Sequence, residues 1–65
     1  MPKYPDVFVQ LTGEDGNAFA ILGRVNQALK KAGVDKAEIK AFTDEATSGD
    51  YSHLLATVME TVDFE

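Results

Sequence analysis

The chain predicts an α+β fold: one N-terminal strand, with a short C-terminal strand able to pair beside it, packed on three helices. Three observations predict it. Apolar residues alternate near the start and again at the end, and they recur at helical spacing through the middle. Helix start and stop signals then divide that middle into three. Sixty-five residues make a single domain, residues 1–65, with no internal repeat, linker or low-complexity stretch.

Pro2 and Pro5 hold the first residues extended. From Asp6 the pattern alternates. Val7, Val9 and Leu11 point one way, and Phe8, Gln10 and Thr12 the other, which reads as a strand with one buried face. Phe8 on the second face implies that something covers that side too.

The next stretch, Thr12-Gly13-Glu14-Asp15-Gly16-Asn17-Ala18-Phe19, is a glycine-punctuated acidic turn leading into a helix. Ala18, Ile21, Leu22, Val25, Ala28, Leu29 and Ala32 then recur on one helical face, with Arg24, Gln27 and Lys31 opposite. Lys30 and Lys31 complement the dipole at the helix end. Gly33 suits the left-handed position after it, and Val34 can fold back on Leu29 or Lys30. Gly23 in mid-helix costs about 1 kcal/mol against alanine; the expected compensation is close approach of another backbone, with tolerated slack as the alternative.

Asp35 and Glu38 fit a capping box for a second helix, with Ile39, Phe42 and Ala46 on one face. Thr47-Ser48-Gly49 ends it. Asp50 caps a third helix running to about Glu60, in which Tyr51, Leu54, Leu55, Val58 and Met59 are expected inward. Residues 61–65 alternate again and suit a short strand beside the first.

Composition excludes several functions. The net charge of −5 and pI near 4.6 argue against nucleic acid, which needs a basic footprint, and against anionic lipid. No apolar run approaches a membrane span and no secretory signal is evident, so a cytoplasmic location is expected. Without cysteine there is neither a disulfide framework nor a thiolate metal site. No cofactor motif is present.

The acidic turn is the first candidate site, with Glu14, Asp15 and Asn17 as its residues. A helix N-terminus binds anions, but two carboxylates repel phosphate, and the spacing matches neither G-x-G-x-x-G nor a P-loop. The oxygen donors of Glu14 and Asp15, with Asp50, suit a hard divalent cation, although the spacing is not that of an EF-hand. As structure alone, the glycines make the turn, and Asp15 or Asn17 caps the helix. His53, the sole histidine, lies within reach of Asp50 and near Ser48 and Ser52, so an Asp50–His53 pair is the one catalytic candidate. Tyr51, Phe42, Phe19 and Phe64 read as core residues. Most of the positive charge (Arg24, Lys30, Lys31, Lys36 and Lys40) falls within seventeen residues and forms a solvated face or one pole of a dipolar molecule.

The segments Gly13-Glu14-Asp15-Gly16-Asn17-Ala18-Phe19, Leu22-Gly23-Arg24-Val25, Ala32-Gly33-Val34, Ser48-Gly49-Asp50-Tyr51 and His53-Leu54-Leu55 resemble a group of small bacterial and phage-borne proteins. The likeness covers nearly the whole chain. It implies a small stand-alone protein and carries over no catalytic role. The leading expectation is a protein-interaction or regulatory module with a protein partner, contacting it through residues 14–17 and the helix surfaces. A homodimer formed through the open edge of the first strand belongs to the same reading. A small-ligand or divalent-metal binder at the acidic turn comes second, and an enzyme using Asp50 and His53 third.

Overall fold

The computed structural model describes residues 2–11 and 17–65. Their element order is β1 (Tyr4–Val9), α1 (Ala18–Lys31), α2 (Lys36–Ala46), α3 (Tyr51–Thr61) and β2 (Val62–Phe64). The α+β architecture matches the sequence reading: three helices pack with a two-stranded sheet formed by the first and last elements. The two strands run parallel, which alternation alone does not specify.

The first strand starts earlier than the alternation suggests, because Tyr4 and Pro5 join it. Proline cannot donate to a ladder, and the pairing is irregular around it. Tyr4 faces Val62 and Phe8 faces Asp63, so β1 advances four residues while β2 advances one. Main-chain bonds extend the pairing beyond both strands. The Lys3 N–H donates to the Glu60 carbonyl at 2.8 Å, the Glu65 N–H to Val9 at 3.2 Å, and the Leu11 N–H to Glu65 at 2.7 Å.

Val7 and Val9 turn inward and are buried. Phe8, expected to be covered, is 53% exposed. The helices pack against the face that carries the valines, and no described element reaches the other.

α1 is the central helix, in contact with β1, α2 and α3. It buries Ile21, Leu22, Val25 and Leu29. Its C-terminus closes as a Schellman turn. Gly33 adopts φ 84°, its N–H bonds the Lys30 carbonyl at 3.1 Å, and the Val34 N–H bonds Leu29 at 3.0 Å. At Gly23 a Cβ meets nothing within 4 Å among the described residues, which overturns close approach of another backbone and fits tolerated slack. Gly23 is exposed and packs against no described backbone outside its own helix. Gly23→Ala is therefore expected to stabilise the protein by about 0.5–1 kcal/mol, read as a higher urea midpoint at unchanged slope.

α2 buries Phe42 and Ala46, with Ile39 packed at the margin. Its capping box does not form. Asp35 is the N-cap by its backbone, but its side chain makes no cap bond. Glu38 reaches instead to Lys3, with Oε2 2.7 Å from Nζ. A charged partner from the N-terminal segment outcompetes the local main-chain N–H. The hydrogen bond from Lys3, and then its charge, hold the Glu38 carboxyl below the usual glutamate range. The same contact raises Lys3. A depressed carboxyl stabilises the fold above its unfolded-state value, and that contribution is lost as pH falls through the folded value. Lys3→Ala should return the NMR titration of Glu38 to the ordinary glutamate range. An unchanged midpoint would show that the pair does not persist in solution.

α3 departs most from expectation. Leu54, Thr57, Val58 and Thr61 form its buried stripe, whereas Tyr51 and Met59, expected inward, are exposed. The 54/57/58/61 spacing is an ordinary amphipathic face. Two threonines can occupy it because the Thr57 hydroxyl donates to the His53 carbonyl at 2.8 Å and Thr61 to Thr57 at 2.7 Å. With both hydroxyls satisfied within the helix, burying them costs little.

Candidate functional site

Of the three residues predicted at the acidic turn, Asn17 is placed by the structure, while Glu14 and Asp15 lie outside the described residues. Asn17 is extended (φ −68°, ψ 125°) and caps α1, its Oδ1 accepting from the Phe19 N–H at 2.8 Å and the Ala20 N–H at 3.4 Å. This is the structural role that the sequence allows. Asn17→Ala is expected to cost about 0.5–2 kcal/mol, and Asn17→Asp much less, measured by chemical denaturation.

Two aromatic side chains lie beside that cap. Phe19 is 83% exposed and Tyr51 44% exposed, so both depart from the expectation of core packing. Phe42 is buried as expected, and Phe64 packs against the core partly buried. Phe19 from the first turn of α1 and Tyr51 from the first turn of α3 line one groove of 210 Å³ with Leu22, Leu54 and Asp50. The floor is apolar because Leu22 and Leu54 belong to the core beneath it. Sequence reasoning missed this surface because an aromatic residue at helical spacing is ordinarily assigned to the interior. The signal was present in the helix phase: Phe19 lies about 200° around α1 from Ile21, at 100° per residue.

His53 sits at the α2–α3 junction. The predicted Asp50–His53 contact forms through the main chain, the His53 N–H donating to Asp50 Oδ1 at 2.9 Å. The imidazole itself turns to the end of α2. Its Nε2 lies 2.8 Å from Glu45 Oε2, 3.0 Å from the Glu45 carbonyl and 3.2 Å from Ser48 Oγ. Both Glu45 oxygens can only accept, so they place the proton on Nε2. A nucleophile–base–acid relay needs the serine on one ring nitrogen and the acid on the other. Here both converge on Nε2, and the Ser48 hydroxyl donates to the Glu45 carbonyl at 2.7 Å. The arrangement closes the C-terminus of α2 and does not activate a serine. Gly49 gives the ring room, since a Cβ there would stand 3.0 Å from His53 Cβ and Cγ.

Among the described residues, no three His, Cys, Asp or Glu side chains come together as a metal-binding set. No helix of those residues is long and apolar enough to cross a membrane. No protein-family model matches the chain, and no curated protein or solved structure matches it either.

Proposed function

We propose that the chain is a protein-interaction or regulatory module whose contact face is the Phe19–Tyr51 groove, with Glu14 and Asp15 shortly before Phe19 in the sequence. The supporting observation is the exposure of Phe19 next to a half-exposed Tyr51 over an apolar floor. Aromatic side chains concentrate at the centres of protein interfaces, where they provide large contact area for few rotatable bonds. A 65-residue protein with a small core gains stability by burying such residues, so leaving two of them outside favours a role at the surface. Asn17 sets the position of Phe19 by capping the turn that carries it. Glu14 and Asp15 then add charge along the chain next to the aromatic contact.

Affinity capture from the native host tests this reading, comparing wild type with Phe19→Ser/Tyr51→Ser and with Glu14→Ala/Asp15→Ala. Circular dichroism confirms that each variant is folded. The aromatic pair is expected to lose a specifically captured protein, and the acidic pair to weaken its retention. Recovery of the same proteins in equal yield by all three ends the proposal.

Self-association through the sheet is the second reading. Among the described residues no strand lies beyond β1 or β2, so each has an edge without a strand partner there, and Phe8 stands exposed. Asp6 and Asp63 are also exposed near Phe8, and like charge opposes face-to-face pairing of two copies. A monomer by sedimentation at high micromolar concentration removes this reading.

A further inference from the structure

The basic residues of the chain are not spread evenly over its surface. Lys30, Lys36 and Lys40, half of the six Lys and Arg residues, line one groove where α1 turns into α2. The groove has a volume of 690 Å³, and Val34 and Ile39 give it an apolar floor. Asn26 and Gln27 add side-chain amides, and among the described residues no Asp or Glu lines it. In a protein of net charge −5, this is a local reversal of sign.

The fold builds the groove for identifiable reasons. The Schellman turn at Gly33 sends Val34 back toward Leu29, so an apolar side chain lies between the two helices. Lys30 stands in the last turn of α1 and Lys36 in the first turn of α2, which brings them together across a short connection. Ile39 and Lys40 follow one turn along α2. Among the described residues, only Lys40 of these three lysines has a carboxylate partner: its Nζ is 2.9 Å from Asp44 Oδ2, in an exposed i, i+4 pair. Exposed pairs of this kind contribute little and exchange readily with another carboxylate.

From this arrangement we infer that the α1–α2 groove is a docking site for an acidic peptide segment of another protein, anchored by an apolar side chain. The apolar side chain seats on Val34 and Ile39, and flanking carboxylates meet Lys30, Lys36 and Lys40. Charge complementarity chooses the occupant. A basic segment would meet three lysines, and a neutral one would leave them unused. A second copy of this chain brings a net charge of −5 toward a body of the same charge. The surface is separate from the aromatic groove. That groove begins at Phe19 on the first turn of α1, whereas this one lies at the far end of a 14-residue helix, about 20 Å long.

The test uses a short synthetic peptide in which glutamates alternate with leucine and phenylalanine. Its two controls are the same peptide with every glutamate replaced by glutamine and the same peptide with every leucine and phenylalanine replaced by serine. NMR titration of the wild-type protein should move the amides of Gln27, Gly33, Val34 and Ile39 and leave those of Phe19 and Tyr51 in place. Lys30→Glu/Lys36→Glu should weaken binding at least about tenfold, while Lys31→Glu, outside the groove, changes it little. Affinity should fall as salt rises from ~0.05 to ~0.5 M.

Equal binding of the glutamine peptide would overturn the inference. So would inorganic phosphate moving the same amides as strongly, since the groove would then be a bare anion site. Concentration-dependent dimerisation of the protein alone, abolished by Lys36→Glu, would assign the groove to a second copy instead. Because the mapping is done on wild type, a misfolded variant leaves the test intact. The aromatic-groove proposal can fail without affecting it.

Discussion

Leu29→Ala is expected to unfold a large share of the protein at room temperature. Leu29 is fully buried in the last full turn of α1, the helix that touches β1, α2 and α3. Truncating a buried leucine removes its transfer free energy and leaves a cavity, together costing about 2–5 kcal/mol. At about 0.05–0.15 kcal/mol per residue, a 65-residue domain holds only about 3–10 kcal/mol in all. Little space remains for neighbours to collapse into, since Val25 and Val58 are also fully buried. Urea denaturation followed by circular dichroism should show the midpoint falling by more than half or the folded baseline disappearing. Lys31→Ala, on the wet face of the same helix, is the control and should stay within about 0.5 kcal/mol of wild type. A Leu29→Ala loss below about 1 kcal/mol would mean that the core is not centred on α1.

The second large effect is expected from removing residues 62–65. This deletes β2 and with it the sole strand partner of β1 among the described residues. Val62 is almost completely buried, and Phe64 packs on the core. The bonds from Glu65 to Val9 and from Leu11 to Glu65 are lost as well. What remains is three helices and an isolated extended segment whose Val7 and Val9 have no sheet to belong to. The shortened chain should lose the chemical-shift dispersion of a folded protein and melt without a cooperative transition, with residual helical ellipticity. A sharp transition within a few degrees of wild type would show that the three helices suffice. In that case the sheet is an addition to the fold and not part of its support.

Much of the fold was legible because its signals are local. The Asp50 cap, the Gly33 turn, the Asn17 cap and the helical stripe from Ile21 to Leu29 each depend on residues within one or two turns. The failures all involve partners distant in sequence. Glu38 leaves its capping position for Lys3, 35 residues away. The burial of Thr57 and Thr61 follows from where α3 packs, and their polarity hid it. Phe8 stays exposed because no described helix crosses its face, which alternation cannot reveal.

The candidate site divides the same way. Asn17 was readable as a cap, and the concentration of lysines between residues 30 and 40 was visible as charge. The convergence of three of those lysines on Val34 and Ile39 needed the angle between α1 and α2. Phe19 and Tyr51 needed the knowledge that the core had already closed without them. His53 was drawn to Glu45 and not to Asp50 because the end of α2, eight residues earlier, lies under its ring.

The parallel pairing of the first and last strands also bears on how the protein is born. Val9 pairs with Phe64 across 55 positions, so all three helices must be made before the sheet can exist. Contacts of such long sequence separation are formed late and slow the folding reaction. During synthesis the helices can appear as they emerge, but the pairing edge of β1 stays open until residues 62–65 have been made. Until then a nascent chain carries β1 without its strand partner. Chaperone contact in that interval should concentrate on residues 4–11.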